Sequence, residues 1–198
     1  MSDFLENFRQ EKKTIDIVKA NIYGLFLIIP WAIVFAVPYF FIWREQFTMT
    51  YIKNAFSEMG VWGSIGTSTM IFVVMIVGVV VHELIHGAFF GYYARGGYKT
   101  IKFGIMWKYL TPYCHCNEPL KVKQYLLGAA APGIILGVLP SIVSLFMGNI
   151  LMLAFGGFFT IAAIGDLMII QLIWNEDREA YVQDHPSEAG CYIYRPDF

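Results

Sequence analysis

Residues 70–81, MIFVVMIVGVVV, carry no charge and run without a break into His82-Glu83-Leu84-Ile85-His86. A run this apolar reads as a membrane span, and backbone in hydrocarbon must satisfy its own polar groups, which makes it a helix. In a helix, positions i and i+4 share a face, so both imidazoles can converge on one metal ion. Glu83 then projects about 100° around the axis from His82, close enough to hold a water without being a ligand. Two histidines and a carboxylate are expensive at that depth, and ionisable groups inside a membrane mark function by default.

Composition supports the same solvent. The chain has 198 residues, of which 57% are hydrophobic and 15% charged, and its mean hydropathy is +0.55. A soluble domain carries about 25% charged residues, so this chain has too little polar surface to cover itself in water. The expected fold is an all-α polytopic membrane protein with about four transmembrane helices. Net charge is −1, and no basic patch with interleaved aromatics points to nucleic acid. The first ten residues lack the apolar stretch and small-residue cleavage site of a signal peptide. Three cysteines, Cys114, Cys116 and Cys191, have no framework spacing, so disulfides are not expected.

Residues 1–19 alternate charged and apolar side chains and are expected to form an amphipathic helix leading into the membrane. Residues 20–174 form the membrane domain. Span one covers 20–43, broken by Pro30 and Pro38; residues 44–63 are a polar connection; span two covers 64–92. A mixed loop, 93–121, is followed by span three at 122–147 and span four at 149–174. Within that loop, residues 98–109 alternate in part and suit a short membrane-surface hairpin or loop. Residues 175–198 read as a polar tail, with a solvated His185. All of the 14 Lys and Arg except Arg44 and Lys53 fall on one side of this arrangement. The positive-inside rule therefore puts both termini and the 93–121 loop in the cytoplasm.

A catalytic zinc site takes three protein ligands and keeps one position open. His82 and His86 precede the cytoplasmic end of their span by six to ten residues, and Asp166 precedes the end of span four by eight. At 1.5 Å per residue both lie roughly 9–15 Å below the surface. Asp166 is the one acid in span four, no basic residue lies at its depth to pair with it, and small neighbours permit close helix approach. Glu176, Asp177 and Glu179, just past the span, are competitors that read as solvated helix-end charges. Cys114-His115-Cys116 lacks the spacing of a structural zinc site and reads as packing or an accessory position. The 129–133 segment, Ala-Ala-Ala-Pro-Gly, reads as a packing face whose Pro132 releases a backbone carbonyl.

A HExxH in one membrane helix, a mixed loop, a small-residue helix and an Asp in a later helix resemble the site-2 protease family of intramembrane zinc metalloproteases. More narrowly, His82-Glu-Leu-Ile-His-Gly87, Tyr113-Cys-His-Cys-Asn-Glu-Pro-Leu120, Ala130-Ala-Pro-Gly133 and Gly165-Asp166 resemble the putative zincin peptidase group of small bacterial membrane proteins. The wider family usually places Asn and Pro before an Asp-Gly pair; here Gly165 precedes Asp166 and Leu167 follows. The resemblance implies a bacterial cell-membrane location, a protein or peptide substrate, itself a membrane protein, and a loop whose strand edge meets an unfolded substrate.

The sequence reading is thus a zinc-dependent membrane-embedded endopeptidase. His82, His86 and Asp166 hold Zn²⁺, and Glu83 is the general base. The alternative is a non-proteolytic metal-binding membrane protein, such as a sensor, regulator or pseudo-protease; a scaffold with an incidental motif is a third reading. Substrate-binding residues and oligomeric state are not assigned.

Overall fold

A computed structural model describes residues 8–107, 111–186 and 188–196, apart from the side chains of residues 17, 21 and 56. Helix predominates, and two small antiparallel sheets join it. Strand β1 (Phe8–Thr14) leads into α1 (Ile17–Trp31), a π-helical turn (Ala32–Ala36) and α2 (Val37–Ile42). Helix α3 (Met49–Tyr93) is followed by the hairpin β2 (Ile101–Met106) and β3 (Thr111–Cys116), then the two-residue β4 (Leu120–Lys121). Helix α4 (Val122–Pro132), a second π-helical turn (Gly133–Val138) and α5 (Leu139–Met147) follow, then α6 (Ile150–Ala162), α7 (Ile164–Ile173), β5 (Tyr181–Asp184) and β6 (Gly190–Pro196).

Among the described residues, three stretches are long and apolar enough to cross a membrane: Val18–Ile42, Ser57–Tyr93 and Val122–Met147. The α6–α7 pair makes a fourth if its 43° bend is counted within one span. These helices bury little of themselves; Phe41 is 70% exposed and Phe72 65%. So much contiguous apolar surface is a liability in water and is compatible with membrane association.

Strand β2 falls within the alternating stretch 98–109, while its partner β3 lies beyond it, and three other expectations are corrected. Residues 3–7 of the expected N-terminal helix lie outside the described residues, and from Phe8 the chain is a strand. It pairs antiparallel with β6, from Phe8 opposite Pro196 to Thr14 opposite Gly190. The charges that suggested an amphipathic helix are satisfied across strands. Arg195 binds Glu11 at 2.5 Å and Glu176 at 2.8 Å, and Lys13 reaches Glu176 at 2.9 Å. The polar tail is likewise structured, contributing β5 and β6 to a four-stranded sheet of order β1-β6-β5-β4. Connection 44–63 is mostly helix: Thr48 caps α3 by accepting the N–H of Tyr51, and α3 passes one break, at Gly60, where φ is 60°. The stretch 149–174 forms two helices, α6 and α7, that meet at a bend at Ala163.

The buried core gathers at the sheet end, where Leu120, Val122, Ile173, Val182, Cys191 and Ile193 are almost wholly enclosed and pack with Phe90, Tyr125 and Ala129. Elsewhere, helices meet through small residues. A Cβ on Gly156 would lie 2.3 Å from Ser141 Oγ, and one on Gly137 2.6 Å from Thr160 Oγ1. Trp31 Nε1 donates to Ser141 Oγ at 3.1 Å, tying the first apolar helix to the third.

Candidate metal centre

Three elements bring the site together. Helix α3 places His82 and His86 one turn apart, their ring centroids 5.0 Å from each other. The break at Ala163 sets Asp166 in the first turn of α7, where the helix dipole favours a carboxylate. The carboxylate bridges the two rings: Oδ2 lies 3.1 Å from His82 Nε2 and Oδ1 3.2 Å from His86 Nε2. All three donor groups fall within 4.8 Å of one another, and both histidines are buried.

The donor set fits zinc. An Nε2 lone pair and a carboxylate oxygen this close repel unless a proton or a cation lies between them. Ligands on a tetrahedral zinc with bonds of about 2.0 Å lie about 3.3 Å apart, close to both observed separations. The tautomer of His86 is set by its other nitrogen: Nδ1 donates to the Gly128 carbonyl at 2.9 Å, which leaves Nε2 as the free lone pair. His82 Nδ1 is buried and makes no hydrogen bond among the described residues.

Pro132 explains why that carbonyl is free. In a helix, the oxygen of residue 128 would accept the N–H of residue 132, but proline has none. The oxygen expected from the sequence to be released is therefore the one His86 uses. Gly128 also has to be glycine, because a Cβ there would lie 2.3 Å from the Phe90 ring. That ring stacks on His86 at 5.7 Å, so the helix contact and the ligand's orientation are one piece of packing.

Glu83 is half-buried and lines the same cavity of about 200 Å³ as His82, His86 and Asp166. Residues Thr111–Cys114 of β3 form another wall, and the backbone of Cys114 faces the Glu83 carboxylate. All four residues singled out from the sequence thus share one cavity.

The competitors are engaged elsewhere. Glu176 pairs with Lys13 and Arg195, whose hydrogen bonds hold its carboxyl down at about 2. Glu179 bonds Lys121 and Lys123, and Asp177 accepts the N–H of Glu179. Cys116 donates to the Glu118 carbonyl, and burial pushes its thiol up to about 11. All three cysteines are free, as expected. His185, read as solvated, instead accepts the N–H of Glu188 and packs against Tyr192 in the β5–β6 turn.

Two residues of the cavity wall had no signal in the sequence. Tyr125 of α4 and Asp184 of β5 both line it, and the tyrosine hydroxyl donates to Asp184 Oδ1. Asp184 comes from the segment read as tail, and a lone acid there resembles any solvated charge.

A family described as putative zincin peptidases matches residues 75–181, more than half of the chain. The chain belongs to the putative zincin peptidase family. No curated protein and no solved structure matches it. The zincin-family match begins within the apolar run before His82 and ends at the first residue of β5, so it takes in all four site residues and leaves Asp184 outside. Membership in the zincin family implies a metallopeptidase and a zinc ion, and the cluster of two imidazoles and a carboxylate is a donor set suited to that metal.

Proposed function

We propose that this protein is a zinc-dependent, membrane-embedded endopeptidase related to the site-2 proteases, cutting a protein substrate near the cytoplasmic face. The observation that carries this reading is the convergence of His82, His86 and Asp166 with Glu83 in one cavity. The apolar helices cross the bilayer four times, the bent α6–α7 pair being the fourth span. The side bearing most of the Lys and Arg, with both termini, faces the cytoplasm of a bacterial cell.

His82, His86 and Asp166 would hold the metal. When bound, zinc would supply a Lewis acid there, able to polarise a peptide carbonyl and lower the pKa of water. Gly128 keeps the His86 ring oriented. Glu83 takes the proton of the attacking water and returns it to the departing nitrogen. The substrate lies extended beside β3, whose residues share the cavity with Glu83.

Metal analysis of the purified protein tests the site: about one zinc per chain is expected, lost in His82→Ala, His86→Ala and Asp166→Ala. Zinc that survives Asp166→Ala but leaves with Glu176→Ala would overturn the third ligand. Glu83→Gln should keep the metal and abolish turnover. Comparing membrane proteomes of cells carrying wild type or Glu83→Gln should reveal membrane proteins that accumulate uncut. Identical proteomes, with no cleavage of a panel of unfolded segments, would favour a non-proteolytic metal-binding role.

A further inference from the structure

Two carboxylates face the same strand edge. Glu83 of α3 lies across the metal cavity from Cys114, whose backbone faces its carboxylate. Asp184, the last residue of β5, accepts the N–H of Cys116 on Oδ2 at 2.7 Å. Cys114 and Cys116 are two residues apart, so both N–H groups leave the same edge of β3, the edge away from β2. The second oxygen of Asp184 takes the hydroxyl of Tyr125, and His115 Nδ1 approaches to 3.9 Å. Asp184 is therefore bonded to β3 and to α4, although its own backbone belongs to the terminal sheet.

Neither the β5–β6 ladder nor the cap of α4 uses its side chain. Asp184 lines both the metal cavity and an adjoining one of about 400 Å³ that opens between the hairpin and the β5–β6 turn. Its side chain is 12% exposed, and burial pushes its carboxyl above the usual range against the pull of its donors. A carboxylate kept in so costly a place is held by what it organises.

We propose that Asp184 is a positioning residue of the active site: by gripping the Cys116 N–H and the Tyr125 hydroxyl together, it locks β3 against α4, and the locked strand aims Glu83 through the Cys114 N–H. The catalytic consequence rests on the metallopeptidase reading; the clamp itself rests on geometry. Both partners of Asp184 are donors, so an acceptor-only group satisfies both. An asparagine must turn its NH₂ toward one of them.

The test is Asp184→Asn in the full chain, read in two ways. The first is alkylation of the three cysteines, followed by mass spectrometry. Release of the clamp should speed labelling of Cys114 and Cys116 by about tenfold, while Cys191, opposite Asp184 in the β5–β6 ladder, keeps its rate and reports an intact sheet. The second is kinetic: kcat should fall by about 10- to 100-fold with KM and zinc content unchanged. Tyr125→Phe removes one arm of the grip and should show a smaller loss in both readouts. Adding it to Asp184→Asn should cost little more, because the two act as one unit. Unchanged labelling of Cys114 and Cys116 in both single variants overturns the clamp. Faster labelling with wild-type kcat, or loss of zinc, overturns the positioning role. A wild type that cleaves nothing overturns the metallopeptidase reading instead, and the labelling still decides the clamp.

Discussion

Two stretches of this molecule follow one local plan and come to different ends. Pro30 to Pro38 and Pro132 to Pro140 each enclose a π-helical turn between prolines at the same spacing. In both, proline removes an N–H and the helix widens to accommodate the carbonyls it frees. The first turn buries none of its residues, and Ile33 and Val34 face outward. The second is pressed against the α6–α7 break through Gly133 and Gly137, and the carbonyl freed by Pro132 receives His86. A proline break thus supplies an acceptor in either helix. A neighbouring histidine turns one of them into part of a site.

The sharpest way to break that comparison is to crowd each helix with a methyl group. Gly128→Ala drives a Cβ into the Phe90 ring and through it into His86; overpacking should cost about 1–3 kcal/mol in thermal unfolding and release most of the zinc. Gly24→Ala in α1 meets Ile164 at 3.3 Å and should keep full zinc occupancy. Equal zinc loss in both would show that the site senses global packing rather than its own helix. Next in size is Pro132→Ala, which restores an N–H to compete for the Gly128 oxygen. Competition with a metal chelator should show zinc affinity reduced about 10- to 100-fold, with no change for Pro30→Ala. Ser141→Ala comes third. It removes the hydroxyl that accepts Trp31 Nε1 and donates to Gly137, joining the two π-bearing helices. A loss of about 1 kcal/mol on heating is expected without loss of metal.

The smallest effect separates the helices by anchorage. β1, which leads into α1, is held by Lys13, Arg195 and Glu11 around Glu176. Hydrogen bonds from Arg195 and Lys13 depress the Glu176 carboxyl from 4.5 to about 2. Its contribution is therefore complete above pH 4.5 and is lost as pH falls through 2. Hydrogen exchange should show the amides of β1 losing protection over that interval before those of α4. In Glu176→Gln this pH dependence should disappear.

Much of the site was written in local pattern. The i, i+4 histidines lie on one helix whatever surrounds them, and Asp166 stood out as the one acid in an apolar span. Even the freed carbonyl was foreseen at Pro132, though not which group would use it. What escaped depends on distant pairing. Phe8–Thr14 has mixed charge that suits a helix face or a strand equally well, and its partner lies at the other end of the chain. Residues 190–196 carry Tyr192, Ile193 and Tyr194, a strand signal hidden inside a segment judged by its overall polarity. Asp184 gave no signal at all, because its role comes from Tyr125 and Cys116, which only the fold brings to it.

The pairing of β1 with β6 sets an order of assembly. Phe8–Thr14 is made long before its partner Gly190–Pro196, so a contact of such large sequence separation forms late. Asp184 follows every metal ligand in the chain. The ligand helices α3 and α7 can form while β3 is still unclamped, and the centre reaches its working geometry only after β5 has been made. A nascent chain therefore carries its metal-binding residues before it carries a finished active site.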